Sequence, residues 1–378
     1  MNAPWQSFAA PQARLDELRM RAVRSGGTAF ADLGYANAWD GASPELKAIL
    51  HAAVDVEDPL GLQYTPYGGA TVARRIAANS LARATGVPFQ FRHMVLTPGA
   101  MSALSIVLRF LGERGGNVVI PVPTWLDHPM YAALHGLTPR LVPLREPDFI
   151  MDIDAIARAV DGETRAIVLT HPGNPTGTLH DAGALRALGE LVAERNLIVL
   201  SDECHRDYVF GGDVFEPTVR HIPRTITVYS YGKRLMAQGQ RLGYAAVSPA
   251  LGPELAEQLI LRARALGIAT PTALMQRALP DLERLLPPIE RIGARRANLV
   301  ERLKSAGVQV AGGSATMFVY ARAPRGDAWA ATESLAEQGI LVCPAQIFHA
   351  EGWVRLATSA TDAMLERSIA AVARVLSA

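Results

Sequence analysis

Cysteine is scarce. The chain has two, Cys204 and Cys343, and they lie far apart. That spacing gives neither a disulfide framework nor a pair of metal ligands, and the nine histidines are scattered as well. An excess of one charge is lacking too. With 37 basic and 36 acidic residues the formal net charge is +1, so nothing points to a nucleic acid or another polyanion as partner. No apolar run approaches the roughly 18 residues that a membrane-spanning helix needs. Repeats, low-complexity tracts and an obvious linker are missing. The start, Met1-Asn2-Ala3-Pro4-Trp5-Gln6, lacks the basic-then-apolar pattern of a secretory leader. The expectation is a soluble cytoplasmic protein.

What is present is a long chain with much to bury. Its 378 residues are 49% apolar and 19% charged, which predicts a packed globular protein with two lobes rather than one core. Leu15 and Leu18 among charged residues predict a short surface helix over 12–24. Ser43-Pro44-Glu45 reads as a helix start. Short apolar runs then alternate with helical segments. They predict strands at Met94–Thr97, Val118–Pro121, Ala166–Thr170, Leu197–Ser201, Ile226–Ser230 and Tyr244–Val247, in a mainly parallel α/β sheet covered on both faces. After about residue 275 the texture changes. A long helical stretch carrying Leu282, Leu285, Ile289 and Ile292 leads to strands at Met317–Tyr320, Ile340–Cys343 and Trp353–Leu356. The expected division is an N-terminal segment 1–44 joining a smaller α+β lobe 276–378, with a large lobe 45–275 between.

Several strand ends carry residues with chemistry. Thr97-Pro98-Gly99-Ala100-Met101-Ser102 follows a strand and opens a helix, whose unpaired N–H groups suit a phosphate. Gly99 permits close backbone approach. His171-Pro172-Gly173-Asn174-Pro175-Thr176-Gly177 is a dense turn sequence. Asp202 ends an apolar strand, where a carboxylate is costly unless paired; capping the next helix is the plainer alternative. Ser230-Tyr231-Gly232-Lys233 follows another apolar strand, and Arg241, in Gly239-Gln240-Arg241-Leu242-Gly243-Tyr244, is a bidentate anion binder eight residues later.

In this order and spacing the segments resemble the fold-type I pyridoxal phosphate (PLP) enzymes, the aspartate aminotransferase superfamily. The resemblance covers most of residues 60–360 and implies a large lobe with a mainly parallel seven-stranded sheet between helices, plus a smaller α+β lobe. It implies that Lys233 forms an imine with the cofactor and that Ser230, Arg241, Ala100 and Met101 hold its phosphate. It further implies that Trp125 stacks on the pyridine ring, Asn174 donates to the phenolic oxygen and Asp202 pairs with the ring nitrogen. Arg355, in Trp353-Val354-Arg355-Leu356, matches the arginine that clamps a substrate carboxylate. Tyr64, in Gln63-Tyr64-Thr65-Pro66-Tyr67, resembles a tyrosine that reaches the phosphate of the other subunit, which implies a homodimer with shared sites. A core tryptophan and a turn tyrosine are the plain readings of Trp125 and Tyr64.

Two departures concern chemistry. His205 stands where aminotransferases commonly place a tyrosine; it would tune the site as a proton carrier near neutrality or simply keep the hydrogen bond. The flavour of several segments resembles a natural-product branch with PLP-dependent arginine oxidases and the cyclase making capreomycidine. There the N-terminal segment closes over the site, and Asp16, Glu17 and Asp32 would face a guanidinium; a solvated helix is the plainer reading. The reaction on an α-amino acid stays open between transamination, the superfamily default, oxidation or cyclisation of an arginine-like substrate, and β-carbon–sulfur lysis. The same fold serves as an effector lobe in some transcription regulators, but only about 45 residues precede the large lobe and no basic recognition helix is evident.

Overall fold

The computed structural model describes residues 3–55 and 57–378; Met1 and Asn2, on which the leader reading partly rests, lie outside them. The strands in chain order are β1 Ala31–Asp32, β2 Met94–Thr97, β3 Asn117–Val122, β4 Thr138–Pro143, β5 Thr164–Thr170, β6 Ile198–Asp202, β7 Thr225–Ser230, β8 Gly243–Val247, β9 Phe318–Arg322, β10 Ile340–Leu341, β11 Cys343–Pro344 and β12 Trp353–Ala357. β2 to β8 form a seven-stranded sheet in the order β2-β8-β7-β6-β5-β3-β4. Neighbours from β4 through β7 pair in parallel, while β8 runs antiparallel to both β7 and β2. The reversal of β8 therefore leaves β2 pointing the same way as the parallel strands. Six strand C-termini and the start of β8 consequently meet at one edge, where ligands of open α/β sheets bind.

The strands form where apolar, largely β-branched runs are buried throughout, as in Val118, Val119 and Ile120 of β3. The six predicted strands of this sheet are all present. β4 was not predicted: Thr-Pro-Arg-Leu-Val-Pro has no apolar run, and it pairs with β3 alone, so its outer side and most of its side chains meet solvent. Helix Ala100–Gly112 covers one face through Leu104, Ile106, Val107 and Leu108, and helix Ala182–Glu194 the other through Leu185, Leu188 and Val192.

The remaining elements correct several expectations. The N-terminal helix runs over Gln6–Gly26, longer than 12–24, and buries Leu15, Leu18 and Ala22. The predicted long helix around Leu282–Ile292 is two helices, Ala273–Leu282 and Ile289–Ser305; Pro287 and Pro288 have no N–H to continue the ladder and separate them. The single strand expected at Ile340–Cys343 is split. β10 pairs in parallel with β1, whereas β11 pairs with β12 in the antiparallel sheet β11-β12-β9. Ser43 does cap helix Pro44–Val54, accepting from the Leu46 N–H at 3.1 Å. Ala31 and Leu33 pack with Leu299, Leu335, Leu356 and Ile369, so the N-terminal segment and the C-terminal elements share one core.

Candidate active site

The edge of the large sheet holds a cavity lined by residues that follow five of its strands. Ala100 and Met101 come after β2, Trp125 after β3, Asn174 after β5, Asp202 from the end of β6, and Ser230 and Lys233 from the end of β7. Arg241, just before β8, and His205 complete it. Nine residues singled out in the sequence thus surround one space, with Gly99 behind it. Gly99 adopts φ +80°, and a Cβ there would lie 2.1 Å from Arg241 Nη2, so the guanidinium rests directly against the glycine backbone. Arg241 Nη1 donates to the Gln238 carbonyl at 2.7 Å, holding the fork at the start of helix Ala100–Gly112. That helix has no side-chain cap, so its first N–H groups stay open toward the cavity edge.

Asp202 is buried and doubly held. Its Oδ1 accepts from the Cys204 N–H at 3.1 Å and its Oδ2 lies 3.3 Å from His128 Nε2. Burial alone would raise this carboxyl; the bond and charge of His128 and the contacts to Cys204 outweigh it and hold the pKa below the ordinary value. His128 is itself fixed through Nδ1 and the Thr124 hydroxyl, 3.0 Å apart. His128 was not anticipated from the sequence. It follows Trp125 on a short helix, and only the fold carries it to β6.

Lys233 has its pKa brought down to about 8, chiefly by burial and then by the positive charges of Arg355 and Arg241, against the opposing influence of Cys204 and Asp202. The Tyr208 hydroxyl donates to the Lys233 carbonyl at 2.9 Å and fixes the turn that presents the amine. Tyr231 and Arg234 on either side anchor the same turn to Glu283 and Leu285. His205 is edge-on to Phe318, and its pKa falls to about 3, again first through burial and then through Lys233. That value lies well below neutrality, and among the described residues the His205 Nδ1 is buried without a partner.

A second cavity, of about 160 Å³, adjoins the first and shares Trp125, Lys233 and Gln238 with it. Arg355 lies in its wall. Its guanidinium carbon is 4.0 Å from the Phe318 ring and 4.5 Å from that of Phe348, Nη1 donates to Asn174 Oδ1 at 3.0 Å, and Nη2 donates to the Gly34 carbonyl at 2.6 Å. Gln12, Leu15, Tyr35 and Asn37 bring the N-terminal segment into the same wall.

The three N-terminal carboxylates are not brought together. Asp16 is exposed and accepts from the Tyr35 hydroxyl and from Gln12 Nε2, each at 2.8 Å. Glu17 is exposed, and Asp32 is buried in its own turn, accepting from the N–H groups of Gly34 and Tyr35 at 3.0 Å. None of them lines either cavity. Tyr64 is fully exposed and lines neither cavity.

The donor set fits a phosphorylated pyridine. Among the described residues, His205 Nδ1, Gln238 Nε2 and Arg355 Nε are buried polar atoms without a partner, and all three residues line the two cavities. An anion-binding end built from Gly99, a helix start and Arg241, an ionised buried carboxylate, and an amine of lowered pKa are the groups this ligand requires.

Comparison with known proteins agrees. The family model for aminotransferase class I and II matches residues 33–372. The aspartate/prephenate aminotransferase of Thermus thermophilus is 28% identical over 327 residues, covering 83% of each chain. Tyrosine aminotransferase of Caenorhabditis elegans is 27% identical, covering 78% of this chain and 66% of that one. Among solved structures, N-succinyldiaminopimelate aminotransferase from Mycobacterium tuberculosis is 25% identical with a TM-score of 0.87, covering 97% of this chain and 99% of the other. The fold and the match define a fold-type I enzyme that uses pyridoxal 5'-phosphate. The chain belongs to the class I and II aminotransferases, and its substrate is an amino acid.

Proposed function

We propose that the chain moves the amino group of an L-α-amino acid to a 2-oxo acid, with Lys233 as the proton carrier and Arg355 as the group that binds the α-carboxylate. One observation carries this reading: Lys233 stands in the wall common to both cavities, between the one lined by Arg241, Ser230 and Asp202 and the one that holds Arg355. Pyridoxal phosphate, when bound, supplies a conjugated ring that takes up the electron pair released at the substrate Cα. Ser230, Arg241, Gly99 and the first N–H groups of helix Ala100–Gly112 would hold its phosphate. Trp125 would cover the ring, Asn174 and His205 would face the phenolic oxygen side, and Asp202 would pair with the ring nitrogen.

The chain's own residues then divide the work. Arg355, fixed between two phenylalanine rings, presents a preset fork to the α-carboxylate. Lys233 has its pKa lowered to about 8, which raises the fraction of neutral amine near that pH, so Nζ can take the Cα proton and return it elsewhere on the same face. Asp202 stays ionised because His128 opposes the cost of its burial. Tyr208 keeps the Lys233 backbone still while the side chain swings.

We further propose a homodimer in which Tyr64 serves the partner's site. Support comes from its complete exposure, with Leu60, Leu62 and Val72 exposed nearby in sequence. The division into lobes is proposed with a changed boundary. Met275, Leu279 and Leu282 pack with Leu46, Ala77 and Leu81 of the large lobe, so the change of lobe belongs at Pro287-Pro288 rather than at 275. Two free, buried cysteines are consistent with a reducing, cytoplasmic location, and among the described residues no helix is long and apolar enough to cross a membrane.

The test is amino transfer itself. Purified enzyme given a donor amino acid and a 2-oxo acid should form one new amino acid per donor consumed. Release of ammonia without a new amino acid would reject the reading.

A further inference from the structure

The second cavity differs from the first in the character of its walls. Leu15, Leu126, Phe318, Ile347 and Phe348 make most of it apolar, and Leu15, Phe318 and Phe348 are almost completely buried. Gln12, Tyr35 and Asn37 form a polar rim. Among the described residues the charged ones that line it are Lys233 and Arg355, and no carboxylate does so.

We propose that this cavity is the side-chain pocket and that it selects L-amino acids with a bulky, uncharged side chain, aromatic or branched aliphatic. The inference rests on the aminotransferase reading and adds its substrate class. Size is the first argument. An apolar cavity of roughly 150 Å³ is enough to accept a benzene ring, and this one measures about 160 Å³.

Charge is the second. A distal carboxylate or guanidinium buried here would need a counter-charge. Arg355 is the guanidinium in this wall, and on the proposed reading the α-carboxylate takes it, so none is left for a distal carboxylate. The two phenylalanine rings, Asn174 and the Gly34 carbonyl hold its fork in place, and Asn174 ties it to the first cavity, on which side an α-carboxylate would sit. For a guanidinium the nearest candidates are turned elsewhere. Asp16 is held at the surface by Tyr35 and Gln12, and Asp32 Oδ1 is taken by two backbone N–H groups.

The rim is the third. Gln12 directs its amide protons to Asp16 Oδ1 and the Tyr35 oxygen, at 2.8 and 2.7 Å, and Tyr35 donates its own proton to Asp16. Burial, and then the bond to Asp16, raise the Tyr35 pKa, so the phenol stays neutral. What Gln12 can offer a ligand is Oε1, an acceptor for a neutral hydroxyl at the tip of a side chain. Gln12 and Leu15 belong to the helix Gln6–Gly26, and that helix is anchored by Leu15, Leu18 and Ala22 against Ala336, Leu341 and Phe348. The N-terminal segment thus acts as a fixed specificity wall.

The experiment uses the PLP-loaded enzyme and follows its conversion to the pyridoxamine phosphate form by phenylalanine, tyrosine, leucine, methionine, alanine, aspartate, glutamate and arginine. Phenylalanine, tyrosine or leucine should have the highest kcat/KM, about 100-fold or more above aspartate and arginine. Leu15→Ala, and separately Leu126→Ala at a less buried part of the wall, should lower the ratio of bulky substrate to alanine by about tenfold while the cofactor spectrum stays native. A preference for aspartate, glutamate or arginine overturns the proposal, as does an unchanged ratio in both variants. If no amino acid converts the cofactor, the transamination reading fails, and binding of the same panel by calorimetry still decides the pocket: tighter phenylalanine or leucine supports it, tighter aspartate or arginine overturns it.

Discussion

Arg355 donates through Nη1 to Asn174 Oδ1 at 3.0 Å, joining strand β12 to the turn after β5. The bond commits the Asn174 oxygen to Arg355. It leaves the amide protons as what Asn174 can offer a ligand in the first cavity, which it lines. On the proposed reading, carboxylate binding and cofactor binding share this one contact. Asn174→Ala and Arg355→Ala should be non-additive, with a coupling of about 0.5–3 kcal/mol in kcat/KM. A double-mutant cycle measures this, and strictly additive losses would show that the contact has no functional weight.

Lys233 sets the pH dependence of cofactor capture. With its pKa at about 8 rather than the ordinary 10.5, the apo enzyme gains the neutral amine as pH rises through about 8. The rate of cofactor capture should rise over that range, and Arg355→Ala, which removes a positive neighbour, should move the midpoint upward. The same shift has a stability consequence. The folded state disfavours the charged amine, so between about pH 8 and 10.5 the unfolded chain binds more protons and stability of the apo protein rises with pH. Lys233→Met should abolish both effects, together with the visible absorbance of lysine-bound cofactor.

Asp202 depends on His128. Its depressed pKa means that it adds stability above the ordinary carboxylate range and loses it as pH falls through the folded value. His128→Phe keeps an aromatic ring but removes the bond, leaving burial to raise the carboxyl. The expected cost is about 1.5–3 kcal/mol at neutral pH, and the acidic limb of the kcat profile should move to higher pH. Thermal melts at several pH values and a pH–rate profile check both; an unmoved acidic limb would separate His128 from the state of Asp202.

Gly99 is tested by adding a methyl group. In Gly99→Ala the new Cβ meets Arg241 Nη2 at 2.1 Å and φ remains +80°. The variant should retain the fold but lose cofactor affinity by about tenfold or more, measured by PLP titration of apo protein. Arg241→Lys should weaken retention too, because an ammonium cannot reproduce the fork.

Much of this site was legible before the fold was known, for a physical reason. The chemistry sits immediately after buried strands, and buried parallel strands are short apolar runs that stand out: β5 ends before Asn174, β6 at Asp202, β7 before Lys233. What stayed hidden depends on partners distant in sequence. His128 reaches Asp202 across 74 positions. β4 carries no apolar run because it is an edge, and the Pro287-Pro288 break lies inside a stretch whose leucine spacing looked continuous. The charges of Asp16, Glu17 and Asp32 were visible, but their directions were not. The packing of Leu15 and Leu18 sets the face that carries Asp16 and Glu17, and the turn at Gly34 and Tyr35 holds Asp32.

The most direct test of the account is a spectral screen of the PLP-loaded enzyme against single amino acids in air, with dissolved oxygen followed in the same cuvette. The account predicts that an amino acid with an uncharged, bulky side chain converts the cofactor to the pyridoxamine phosphate form, that a 2-oxo acid restores it, and that oxygen stays constant. Oxygen consumption on adding arginine, with no pyridoxamine phosphate formed, would contradict it.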